Sequence, residues 1–274
     1  MPKQADSNKL SIAGIALSHP DKVLWPAAKP DGAFTKLDLA QHYQAFADRI
    51  LLHVAGRPVS LVRAPDGIEG QKFFQRHANK QAIKARPIKV SGEMEPYVAI
   101  DDLAGLVSLA QAAVLEQHPW GCKKNEPDVP ERVIFDLDPA PDVSFDRVIE
   151  AAKELRVRLA SCGLEPFVKT TGGKGLHVAA AINAAARASL GRKIFLDYLR
   201  NDRASTAIAP WSPRARPHAP IATPLTWTQI RKGLDPLAFT LRTAGALLKR
   251  ADPWRDLHTS AGSLAAARKT LEKL

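Results

Sequence analysis

Cysteine is nearly missing from this chain of 274 residues: Cys122 and Cys162 are the only two, 40 positions apart. That spacing offers neither a disulfide framework nor a CxxC site, and it fits a reducing compartment. Long apolar runs are missing too. No stretch approaches the length of about 18 residues that a membrane helix needs, so no membrane partner is expected. The opening residues, MPKQADSNKL, have no apolar signal core. Secretion is therefore not expected, and a cytoplasmic, nucleoid-associated location is. The pattern GxxxxGK[ST] does not occur, which leaves out a Walker-type phosphate loop. There is no internal repeat and no low-complexity linker either.

What is there can build a core: 45% of the residues are hydrophobic, too many for a disordered chain. The expected organisation is a loose tail over residues 1–10 and one mixed α/β domain over 11–274. The net charge of +11 is unevenly spread. Residues 1–138 hold 17 basic and 17 acidic side chains, whereas residues 139–274 hold 22 and 11. A one-sided basic surface attracts polyanions, nucleic acid among them. A soluble basic protein with no nucleic-acid role would show the same total.

Local signals place the elements. Thr35 caps an amphipathic helix running to Gly56. RPVSLVRAP is a strand closed by the turn PDG. A hairpin-like pair follows over residues 88–100, and then a helix from Asp102 that ends at His118-Pro119. RVIFDLD is a strand, and Ser144 caps a long helix. EPFVKTT and LHVAAAI are strands joined by GGKG, and KIFLDYL is a further strand. Residues 205–227 are rich in proline and suit irregular or edge structure. LAFTLRTAGALLKR and SLAAARKTLEKL close the chain as helices.

VIFDLDPAP, residues 133–141, carries the chemistry. Side chains at i and i+2 of a strand share a face, so Asp136 and Asp138 project together while Phe135 and Leu137 pack behind them. Paired carboxylates are costly to bury without a cation, and they suit hard divalent ions such as Mg2+ or Mn2+. An exposed strand end that does nothing is the plain alternative. Asp197 sits in a second apolar run, KIFLDYL. Three carboxylates from two strands can hold two metal ions about 4 Å apart, an arrangement that activates an attacking oxygen and stabilises a leaving phosphate. Between strands, Thr170–Gly175 supplies glycines that admit a phosphate close to the backbone, and Lys174 adds charge. His177, two residues on, either enters the site or packs in the sheet, and packing is the commoner outcome.

Seven motifs occur in order: HPDKVLWP, DGIEGQKFFQRH, EQHPWG, VIFDLDP, KTTGGKGLHV, IFLDYLRN and APWSPRARP. From about residue 10 to the C-terminus the chain resembles the polymerase domain of bacterial ligase D. That domain belongs to the archaeo-eukaryotic primase superfamily and serves non-homologous end joining. The resemblance implies a primase-polymerase fold, with a mostly antiparallel central sheet flanked by helices. It implies a nucleotidyltransferase that adds nucleotides, ribonucleotides by preference, to a 3′ end at a gap or break bearing a 5′-phosphate.

At the matching positions the resemblance implies the following roles. Asp136, Asp138 and Asp197 are the metal-binding catalytic aspartates, holding two divalent ions (Mn2+ or Mg2+). His118, Thr171, Gly173, Lys174, Arg200, Arg214 and Arg216 bind the nucleoside triphosphate. Lys22 and Lys36 hold the 5′-phosphate of a DNA end, and Phe73 and Phe74 stack on template bases. Lysine suits a point phosphate and the arginine fork a triphosphate. Ku and a separate ligase chain are the implied protein partners.

Two departures stand out. Thr171 occupies a place where the family usually has Ser. Only ten residues, Asn183 to Arg192, separate LHVAAAI from KIFLDYL, where the family has a longer, helix-containing insert. The short link keeps open a catalytically degenerate module that binds DNA ends. Two further readings are weaker. A haloacid-dehalogenase-like phosphatase wants Thr or Val where Ala140 stands. A ligase reading rests on KPDG at Lys29–Gly32 alone, with no apolar strand before it.

Overall fold

The computed structural model describes residues 10–77, 83, 85–90, 92–183, 201 and 204–273. The first helix, α1 (Lys36–Ala45), opens on a capping box. The Thr35 side chain accepts from the Asp38 backbone N–H, and the Asp38 carboxylate accepts from that of Thr35. The single helix expected up to Gly56 is in fact two: Phe46 breaks it (φ −102°, ψ 11°) and α2 spans Ala47–Val54. Packing decides the break. The buried Phe46 ring stacks on His42 at 4.6 Å and meets Trp211 at 5.3 Å. Gly56, at φ +73°, ends α2 as the sequence implies.

Strand β1 (Val59–Arg63) is the centre of a three-stranded antiparallel sheet, with β2 (Phe73–Gln75) on one side. A hairpin of β3 (Ala85–Val90) and β4 (Glu93–Val98) follows, and α3 (Leu103–Gln111) starts at the Asp102 cap. The helix expected as far as His118 stops at Gln111. Ala113 takes φ +54°, and Val114–Pro119 becomes β5, the other neighbour of β1. An apolar run such as AAVL fits helix or strand, and the free edge of β1 selects strand. Behind this sheet, Leu39, Tyr43 and Ile50 pack with Leu106, Leu109 and Leu61 in the largest core cluster.

The second sheet holds β6 (Arg132–Leu137), β7 (Phe167–Thr170), β8 (Leu176–Asn183) and β9 (Pro224–Leu225) in the order β6-β8-β7-β9. These pairs are antiparallel, and Gly262–Ser263 joins β8 in parallel. The long helix α4 (Phe145–Ser161) covers one face. There Val133, Leu137, Val168 and Val178 meet Val148, Ile149, Ala152 and Leu155. The opposite face begins with Ile134, Phe167 and Ala179 under Trp254 and Leu257. Strand alternation therefore sends Asp136 to that face, away from α4.

The proline-rich stretch is irregular, as expected, and contributes only the two-residue β9 at the sheet edge. The expected helix over residues 237–250 shrinks to α5 (Ala244–Leu248). Its first residues are claimed by other partners: Ile221 donates to Phe239 O and Leu241 to Ala219 O. The terminal helix expected from SLAAARKTLEKL is α6 (Leu264–Leu271), started by a Ser263 cap, whereas Ser144 stands at the N-cap of α4 without a side-chain cap hydrogen bond. The KIFLDYL strand and the link before it lie outside the described residues. No helix among the described residues is long and apolar enough to cross a membrane.

Candidate active site

Asp136 and Asp138 share a strand end but not an environment. The Asp136 side chain is only 10% exposed, and His177 Nε2 lies 3.3 Å from its Oδ1. Asp138, past the end of β6, is 60% exposed. In the ladder Asp136 stands opposite His177, and His177 opposite Lys169. Directly opposed residues project to one face, so a carboxylate, an imidazole and an ammonium line up across the sheet. His177 thus does both things the sequence allowed. It is buried in the sheet, and it faces the acid. Lys169 was missed: it is 1% exposed. Its only signal is a lysine inside the apolar strand FVKT.

The glycine-rich loop lies on this strand end because its glycines permit it. A Cβ on Gly175 would sit 2.7 Å from Leu137 O, and one on Gly172 (φ +66°) 2.6 Å from Arg214 Cγ. Lys174 Nζ donates to Pro139 O at 2.5 Å and stands 3.7 Å from Asp138 Oδ2. Thr171 turns its hydroxyl inward to Gly175 O at 3.2 Å, and Arg214 Nη1 donates to Thr171 O at 2.5 Å. Arg216 is exposed, and its guanidinium closes over Gly173, where a Cβ would meet Nη1 at 3.1 Å. Thr171, Gly173, Lys174, Arg214, Arg216 and the two aspartates therefore form one neighbourhood.

His118 joins it through Glu116, which the sequence reading also missed. Glu116 is 5% exposed. Its Oε2 lies 2.8 Å from His118 Nε2, while its Oε1 pairs with Arg214 Nε at 3.1 Å and accepts from Ala215 N at 2.8 Å. Burial alone would raise this carboxyl. The His118 hydrogen bond and the Arg214 charge outweigh it and bring the pKa down to about 2. Glu116 and His118 are spaced i, i+2, the same logic that singled out the aspartates. The helix expected over these residues hid it. Phe74 meets the His118 ring edge-on at 6.3 Å. Phe73 and Phe74 are 44% and 55% exposed. As neighbours in β2 they point to opposite faces, and only Phe74 lies beside His118.

A second site lies at the other end of the β1–β5 ladder. Lys22, Lys36, His19 and Arg63 line a pocket of about 270 Å³ with Gln111. Lys36 is 6% exposed and donates to Ser18 O at 2.8 Å. Burial, and then the neighbouring Lys22, lower its pKa. Lys22 pairs with Asp66 at 3.1 Å. Ser60 lies opposite His118 and Arg63 opposite Val114. Three residues of strand, about 10 Å, therefore separate the two rows.

Asp197 and Arg200 lie outside the described residues. Among the described residues no three His, Cys, Asp or Glu side chains gather into a metal-binding group. Asp136 and Asp138 are nevertheless two carboxylates at one strand end, the donor type that suits a hard cation.

The fold is similar to that of a solved polymerase domain. The chain superposes on the polymerase domain of Mycobacterium tuberculosis ligase D, solved in complex with DNA. The TM-score is 0.74 at 26% identity, over 90% of this chain and 99% of that one. The chain belongs to the LigD primase-polymerase domain family, whose model matches residues 35–191 and 184–254. It is 32% identical to the multifunctional non-homologous end joining protein LigD of Pseudomonas aeruginosa, covering 96% of this chain and 35% of that protein. It is 26% identical to the bifunctional LigD of Bacillus subtilis over 87% of this chain and 43% of that protein. The chain thus spans well under half the length of these relatives. The Pseudomonas alignment runs over 304 positions, more than this chain has, so the relative carries insertions. The two family segments meet at 184–191, where the sequence has its short link.

Proposed function

We propose that the chain is a metal-dependent nucleotidyltransferase that extends a 3′ end beside a 5′-phosphorylated DNA end. One observation carries this reading: the Lys174 loop rests on the Asp136–Asp138 strand end within 3.7 Å of a carboxylate. Asp136 and Asp138, with Asp197, would hold a pair of divalent cations, which when bound lower the pKa of the attacking hydroxyl and offset charge on the leaving phosphate. The protein's own groups bind and orient. Lys174, Arg214 and Arg216 receive the triphosphate, where fixed positive charge is complementary to the charge that develops during transfer. His118 and Thr171 face the sugar, and Phe74 stacks on the template. Lys22 and Lys36 receive the 5′-phosphate.

Preference for ribonucleotides, better support by manganese than by magnesium, and Ku and a ligase as partners rest on the family resemblance. So does a location with DNA in the cytoplasm. Metal-dependent addition to a gapped, 5′-phosphorylated duplex is the test. The wild type should extend the 3′ end and Asp136→Ala should not. Folded wild type that adds nothing with manganese present would sink the proposal.

A second reading, an end-binding module without catalysis, is favoured by the short 183–192 link. It requires that wild type and Asp138→Ala bind ends equally and that neither extends them.

A further inference from the structure

The Glu116 carboxylate is buried, has two hydrogen-bond partners and one ion-pair partner, and belongs to none of the roles above. Its two oxygens divide the work. Oε2 takes His118 Nε2 at 2.8 Å, while Oε1 accepts from Ala215 N at 2.8 Å and forms an ion pair with the Arg214 guanidinium, whose Nε lies 3.1 Å away. His118 belongs to β5, whereas Arg214 and Ala215 belong to the irregular segment near β9. Ala215 and Glu116 are 99 positions apart. Apart from Glu116, the two side chains have different supports: His118 meets the Phe74 ring at 6.3 Å, and Arg214 reaches the Thr171 carbonyl at 2.5 Å.

We propose that Glu116 is a positioning residue for nucleotide addition: one buried carboxylate sets His118 and Arg214 at a fixed separation, and so aligns the sugar and triphosphate contacts of the incoming nucleotide. This rests on the reading of His118 and Arg214 as nucleotide-binding. The chemistry follows from the charge. An ionised carboxylate only accepts hydrogen bonds, so Nε2 of His118 carries the hydrogen that points at Glu116. The ring is thereby held in one orientation and one tautomer, or as the doubly protonated form. The same carboxylate keeps the Arg214 guanidinium turned so that its Nη1 stays on the Thr171 carbonyl beside Gly172 and Gly173. Neutral glutamine in place of Glu116 retains the volume but loses the charge, and its amide offers one acceptor where the carboxylate offers two.

Steady-state extension of a gapped, 5′-phosphorylated duplex with manganese and nucleoside triphosphate separates positioning from mere support. Glu116→Gln should raise KM for the nucleotide about tenfold, the order expected for a charged hydrogen bond. It should leave affinity for the gapped duplex within about twofold, because the Lys22–Lys36 pocket does not touch Glu116. Glu116→Asp should recover part of the loss. An active wild type with an unchanged KM in Glu116→Gln overturns this inference alone. An inert, folded wild type overturns the proposed function and this inference with it. If Glu116→Gln does not fold, the 15N spectrum of wild-type His118 decides instead. A ring protonated at Nε2 supports the assignment, and one protonated only at Nδ1 overturns it.

Discussion

His42 is buried, and its Nε2 sits 2.8 Å from Trp211 O. Burial lowers its pKa to about 4, against the opposing pull of that backbone bond. His53 is buried with neither ring nitrogen hydrogen-bonded. Burial, and then His258, Arg132 and Arg57, hold its pKa well below the ordinary value. Burial, and then Arg132, Arg57 and Lys123, bring His258 to about 3. All three are neutral in the folded protein and take up protons on unfolding below their ordinary pKa of about 6.5. Stability is therefore fully present above that pH. It declines as pH falls from there toward the folded values, by up to about 1.4 kcal/mol per pH unit for each histidine. Urea midpoints at pH 7.5, 5.5 and 4.5 should step downward, and equal midpoints would contradict the assignment. None of this is visible in sequence, where a histidine carries no mark of its burial. Glu116 and Lys169 escaped for the same reason, since such residues are usually solvated.

At the scale of elements, the site depends on a loop lying flat on a strand end. Gly175 allows this, because a Cβ there would come within 2.7 Å of Leu137 O. Gly175→Ala should push Lys174 off Asp138 and cut nucleotide addition about a hundredfold, the scale of a misplacement near 1 Å. Binding to 5′-phosphorylated ends should persist, since Lys22 and Lys36 are elsewhere; fluorescence anisotropy beside an extension assay checks both halves. Elements with strong local signals were readable: the Thr35 cap, the hairpin expected over 88–100 and found over 85–98, and the two strands around GGKG. Those that failed lay where a neighbour overruled local preference. Phe46 broke a helix because its ring is wedged between His42 and Trp211. Val114–Pro119 left its helix to pair with β1. Residues 239–241 gave their backbone to 219–221.

Over the whole molecule, charge in sequence and charge in space differ. Residues 1–138 are neutral overall, yet they hold the Lys22–Lys36 pocket. The basic half supplies Lys174, Arg214 and Arg216 at the other end of the β1–β5 ladder. A DNA end spanning both should show strongly salt-dependent affinity. Lys22→Ala and Lys36→Ala should each flatten the log-log salt slope by about one unit. Titrations of a 5′-phosphorylated duplex at several salt concentrations measure this, and an unchanged slope in both variants would remove the pocket from the interface. By itself the sequence determined what is periodic or local. Alternation in VIFDLD put Asp136 on the face away from α4, glycines opened the loop, and the Thr35 cap started a helix. Only tertiary structure decided which charges are buried and which of them meet. Glu116 finds Arg214, and His177 finds Asp136, through strand pairing and packing between distant segments. Solvent exclusion, which gives such contacts their strength, exists only once those segments have closed on one another.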